Sequence, residues 1–131
     1  MNQFDNLELD AESFSWYDLL GIDRWETWTP VFGSITLVGT PVYSGRHKEL
    51  GRQCFFQAQI VPGTSIATTA GTDYMNLPIS AKGYGGTGVM VNASTKVDVG
   101  PVTFDVANSR CYLPTQIAST DTFVLAGQYE I

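Results

Sequence analysis

The chain is 131 residues long, 44% apolar, 15% charged and 12% aromatic, with a formal net charge of −6; this composition describes one globular domain with an appendage and excludes a disordered chain. All of the net charge sits at one end: residues 1–26 hold seven acids (Asp5, Glu8, Asp10, Glu12, Asp18, Asp23, Glu26) against Arg24, a net of −6, and residues 27–131 hold six acids and six bases, a net of 0. The absence of a Lys/Arg cluster argues against nucleic acid, and no run of about 18 apolar residues is present to span a bilayer. The start Met1-Asn2-Gln3-Phe4-Asp5 lacks the pattern of a secretory signal, so synthesis and retention in the cytoplasm are expected.

Taken in chain order, the first predicted element is a short helix over residues 10–20, the one helical candidate. Asp10 is placed to cap its start, Trp16, Leu19 and Leu20 fall at i, i+3 and i+4, and Gly21 is placed to close it. About three turns are too few to be stable without a surface to lie on. We therefore divide the chain into an acidic arm, 1–27, and a β-domain, 28–131. Trp16, Trp25 and Trp28 stand within 13 residues of one another at the joint. With Phe14, Tyr17 and Leu20 they read as anchors that dock on a partner.

From Trp28 onward the pattern is short strands and turns. A first strand is expected over 31–38, ended by Gly39-Thr40-Pro41. Residues 42–43 and 46–49 are expected to flank a Ser44-Gly45 turn. The clearest strand covers 52–61, with Cys54, Phe56, Ala58 and Ile60 on one face and Gln53, Phe55, Gln57 and Gln59 on the other. Further strands are expected over 73–77, 79–82, 89–91, 96–99, 102–106, 110–113 and 122–129, with a glycine-dense loop over 83–88. Roughly eight short strands without a second helix predict an all-β, antiparallel sandwich of jelly-roll-like form. A β-surface this poor in charge is suited to being covered by neighbouring subunits, so a homo-oligomer is expected.

No constellation marks an enzyme, a cofactor or a metal site. Gly83-Tyr84-Gly85-Gly86-Thr87-Gly88 fits G-x-G-x-x-G, but a strand follows it where a dinucleotide site requires a helix. His47 has Glu49 two residues away and Ser44 nearby, which is a triad on paper only. The β-domain's acids, Asp73, Asp98, Asp105 and Asp121 among them, fall mostly at turns and mark no opposed pair. Cys54 and Cys111 with one histidine cannot build a four-ligand zinc site; two buried free thiols are expected in preference to a disulfide. The aromatic set Trp25, Trp28, Tyr43, Tyr74, Tyr84, Tyr112 and Tyr129 suits either a core and subunit seam or stacking faces for sugar rings, with Tyr84 the candidate ligand residue on its loop.

In order along the chain, Trp28-Thr29-Pro30-Val31-Phe32, Tyr43-Ser44-Gly45-Arg46, Leu50-Gly51-Arg52-Gln53-Cys54-Phe55-Phe56-Gln57, Asn76-Leu77-Pro78, Tyr112-Leu113-Pro114 and the closing Leu125-Ala126-Gly127-Gln128-Tyr129-Glu130-Ile131 resemble a β-domain that recurs in tailed-phage virion proteins. The likeness covers about residues 28–131 and rests on the order of short motifs. It implies a jelly-roll-like fold, commonly trimeric, often at the C-terminal end of a tail fibre or other surface protein. This chain has a short acidic arm in place of a fibre's long N-terminal shaft. The expectation is therefore a non-enzymatic capsid cement or decoration protein on the virion surface, with the major capsid protein or another virion protein as partner. The alternative is a tail-fibre-type domain that recognises a host surface glycan.

Overall fold

Side-chain alternation sets the architecture. In the strand Gln53–Val61, Cys54, Phe56, Ala58 and Ile60 are buried while their neighbours are exposed or half-buried, as the period of two predicts. The structure, a computed structural model, describes residues 25–131. The expected helix over 10–20 therefore lies outside the described residues. The strands run β1 Glu26–Trp28, β2 Phe32–Gly33, β3 Thr36–Val38, β4 Val42–Leu50, β5 Gln53–Val61, β6 Ser65–Thr68, β7 Tyr74–Asn76, β8 Gly86–Asn92, β9 Val97–Pro101, β10 Thr103–Asp105, β11 Arg110–Tyr112, β12 Gln116–Ser119 and β13 Phe123–Glu130.

All pairings are antiparallel, and no helix occurs among the described residues. A six-stranded sheet has the order β1-β4-β5-β13-β8-β9, a four-stranded sheet β10-β11-β7-β2, and a three-stranded sheet β12-β6-β3. One hydrophobic cluster joins them. Phe56, Ile60, Leu125 and Met90 come from the six-stranded sheet, Met75 and Cys111 from the four-stranded one, and Ile66 from the three-stranded one.

Tyr129 ties this core together. It is fully buried, and its ring lies 5.9 Å from those of both Phe56 and Phe104, which are 6.1 Å from each other. Its hydroxyl donates to the Ile79 carbonyl at 2.8 Å and accepts from the Ile79 N–H at 3.0 Å. Room for Phe56 is made by Gly127, its cross-strand partner: a Cβ there would lie 2.5 Å from the Thr87 carbonyl and 3.1 Å from Phe56 Cε1.

Several expected elements differ, each for a local reason. There are thirteen strands among the described residues, more than the eight expected. The run 31–38 divides at Ser34, whose φ of 67° turns the chain from the four-stranded into the three-stranded sheet. Ser44-Gly45 is no turn; β4 passes straight through it, and the glycine lets Trp28 and Pro30 pack down, since a Cβ would lie 2.8 Å from Trp28 Cε3. The reversal comes at Gly51, with φ 61°. Residues 79–82 form no strand because side chains and the last strand take their amides: Ile79 binds Tyr129, Ala81 binds Ser109 Oγ, and Lys82 binds the Glu130 carbonyl. Gly86 and Gly88, assigned to a loop, are strand residues opposite Tyr129 and Gly127. Strands β6 and β12 lacked any signal strong enough to predict them.

Both cysteines are buried and free. Burial pushes the Cys111 thiol up to about 12, and burial likewise raises Cys54 and Tyr129. A raised folded pKa contributes stability that is complete below the unfolded value and lost as pH climbs toward the folded one. Stability should therefore be level up to about pH 8 and fall between about pH 9 and 12, with Cys111→Ala flattening that fall in urea unfolding. Tyr129→Phe leaves both Ile79 backbone groups without their partner and should lower stability by about 1–2 kcal/mol at an unchanged denaturant m-value.

Candidate partner interface

The joint between arm and domain is built by β4 on β1. Glu26 pairs with His47, Thr27 with Arg46 and Trp28 with Gly45, so residues 26 and 28 share one face of the sheet and residue 27 takes the other. The sheet thus begins at Glu26, inside the segment first assigned to the arm. Trp28 turns inward, packs against the core and meets His47 edge-on at 6.4 Å and 82°. Trp25 takes the outer face, where Arg46 Cζ stands 4.5 Å and Lys48 Nζ 4.9 Å from its ring centroid.

Two of the expected docking residues are therefore separated by the sheet rather than joined. Trp28 is a packing residue and Trp25 is a ring held by two cations. Phe14, Trp16, Tyr17 and Leu20 lie outside the described residues. Arg46 is itself positioned, its Nε donating to Gln57 Oε1 at 2.8 Å, and Lys48 also reaches the Phe55 ring at 5.8 Å. Arg46 and Lys48 flank His47 in the sequence. Their spacing of two on one strand was a usable signal, but the register that sets them over Trp25 was not.

Beyond this corner, the middle of the outer face of the six-stranded sheet is uncharged, with Asp98 and Glu130 at its borders. One row across it reads Thr27, Arg46, Gln57, Ala126, Val89; the next reads Ser44, Gln59, Val124, Val91, Asp98. Val89, Val91, Val124 and Ala126 are half-buried on the side away from the core. The joint therefore combines a face uncharged in its middle, a basic pair at its margin and the end of the acidic segment, Trp25 and Glu26, beside that pair.

The remaining candidates have other surroundings. Among the described residues the carboxylate beside His47 is that of Glu26 rather than Glu49, with Nε2 3.9 Å from Oε2, and its buried Nδ1 has no hydrogen-bond partner among them. Ser44 faces the opposite way, its Oγ 3.5 Å from Gln59 Oε1. Asp73 accepts from the Thr69 N–H, Asp105 from Asn108, and Asp121 from Asn92, each in a separate turn. The hydrogen bonds from Asn108 lower the Asp105 carboxyl below its usual range. No group of three or more potential metal ligands occurs among the described residues. Tyr84 sits between Gly83 (φ 64°) and Gly85 (φ 84°) with its side chain wholly exposed, at 103%. Tyr43 packs on Phe32 at 4.9 Å, whereas Tyr74 and Tyr112 pair edge-to-face at 6.2 Å on the four-stranded sheet.

No family model, no curated protein and no solved structure matches the chain.

The cation clamp on Trp25 is partly exposed, where such contacts contribute about 0.5–1 kcal/mol each. Arg46→Ala with Lys48→Ala should lower stability by about 1 kcal/mol in urea unfolding. Of the three tryptophan indole resonances, that of Trp25 should move most.

Proposed function

We propose that the chain is a non-enzymatic structural protein of a tailed-phage virion surface, and specifically a capsid cement or decoration protein that attaches through its N-terminal arm. The observation that carries this reading is the division at Trp25. A domain with its own core and no net charge after residue 26 begins where a segment of net −6 ends. In this reading the three sheets form a jelly-roll-like sandwich whose neutral outer face lies against neighbouring subunits. The arm, with Phe14, Trp16, Tyr17 and Leu20, engages the major capsid protein or another virion protein. Trp25, held between Arg46 and Lys48, fixes the point from which the arm departs. A trimer would engage several shell subunits together, so that modest individual contacts sum by avidity.

Receptor binding of the tail-fibre type is the second reading, favoured by the full exposure of the Tyr84 ring. The two readings part on one deletion. Because β1 begins at Glu26, the cut belongs after residue 24. Under the first reading, residues 25–131 keep the circular dichroism of the full chain and lose attachment to particles stripped of this protein. Attachment undiminished by that deletion would contradict it. Host-cell binding that persists in 25–131 and disappears with Tyr84→Ala would establish the second.

A further inference from the structure

Two clefts share Thr115. One, of about 370 Å³, lies between Pro101 and Thr103 on one side and Tyr112 to Thr115 on the other; the second, of about 320 Å³, lies between residues 97–99 and residues 115–117. Their walls run in opposite chain directions and come together between them, where a Cβ on Gly100 would stand 3.1 Å from Pro114 Cβ. The two clefts adjoin at Thr115 and form a groove divided by the approach of Gly100 to Pro114, each part near the lower end of the size range of ligand sites. Val97, Asp98, Val99, Pro101 and Thr103 line one side.

The wall formed by residues 112–117 is held from behind by the buried Thr68 hydroxyl and by the backbone of Asp73, whose own buried side chain fixes the turn at Thr69. Thr68 Oγ1 donates to the Pro114 carbonyl at 2.6 Å, the Leu113 N–H donates to the Asp73 carbonyl at 2.9 Å, and the Asp73 carboxylate accepts from Thr69 at 2.7 Å. The Ala70 N–H donates to Thr115 Oγ1 at 2.9 Å, which leaves the Thr115 hydroxyl proton for another acceptor. Gln116 Nε2 is used on the Ile117 carbonyl, leaving its Oε1 as an acceptor. Tyr112 is held as well: its ring meets Tyr74 edge-on, Arg110 Cζ covers Tyr74 at 4.1 Å, and its hydroxyl lies 3.4 Å from Asp105 Oδ2. These groups are set before any ligand arrives, which reduces the ordering that binding must impose.

We propose that this groove binds a neutral oligosaccharide, with Tyr112 as the stacking face and Thr103, Thr115, Gln116 and Asp98 as the hydroxyl partners. An aromatic ring flanked by Pro101 and Pro114 suits the apolar face of a sugar, and fixed neutral donors and acceptors suit its rim. Asp98, the one formally charged lining residue, disfavours phosphate, sulfate and carboxylate ligands. The site is remote in sequence from Tyr84 and does not depend on the virion role proposed above.

The test is binding of the full chain to a printed array of neutral oligosaccharides (glucans, mannans, galactans) and acidic ones (sialylated, uronate-bearing), followed by titration of any neutral hit. Tyr112→Ala should weaken that hit about tenfold or more, Tyr112→Phe should keep most of the affinity, and Tyr84→Ala should leave it unchanged. Thr103→Arg, an exposed change that obstructs the groove without touching the core, should also abolish binding. Unfolding midpoints identify any variant whose loss reflects the fold. The proposal is overturned if no neutral oligosaccharide binds at millimolar concentration, if only acidic ones do, if binding survives both Tyr112→Ala and Thr103→Arg, or if the groove proves to be filled by a polypeptide of the shell.

Discussion

The fold depends on a buried hydroxyl. Tyr129 has no access to solvent, so its oxygen must find partners inside, and it takes both from the backbone of Ile79. That choice prevents residues 79–82 from forming a strand and fixes them across the end of the core. The same ring, through Phe56 and Phe104, joins the six-stranded sheet to the four-stranded one. Gly127 answers in part to this cluster, since a Cβ there would meet Phe56 Cε1 at 3.1 Å, whereas Gly86 and Gly88 answer to the close backbone of the last strand and, for Gly88, to Val102. The last strand of the chain is consequently central in its sheet, between β5 and β8.

The first described strand, in contrast, is at the edge. Among the described residues β1 pairs only with β4, and Trp25 is already on the outer face. The charge distribution has the same division: acidic before residue 27, balanced after it. A neutral sheet face with half-buried valines, bordered by Arg46 and Lys48, is a surface suited to another molecule more than to open water. The groove along β9 and β12 lies at the opposite edge of the six-stranded sheet from β1, and its buried supports, Thr68 and Asp73, belong to other elements.

How much of this could be read from the sequence varied with how strictly local the cause was. The buried face of β5 was readable to the residue, because Cys54, Phe56, Ala58 and Ile60 alternate with glutamines and nothing distant overrides them. Free, buried thiols at Cys54 and Cys111 were readable from number and type. The division at Ser34 was not, since a serine at positive φ has no sequence signature. Ser44-Gly45 looked like a turn, but its glycine answers to Trp28 and Pro30 across a strand pair. Gly86 and Gly88 likewise looked like loop residues because their reason, the approach of β13, is far away in the chain. Tyr112 was in the aromatic set from the start; only the fold separates it from Tyr43 and Tyr129, which the core absorbs.

The central claim is that a self-contained β-domain is carried on a shell by its acidic arm. It is tested most directly by counting copies of the chain per purified particle against the shell subunit, by quantitative mass spectrometry. The account predicts a fixed ratio to the shell lattice, on the order of hundreds of copies by icosahedral symmetry. A handful of copies per particle, or none, would contradict it.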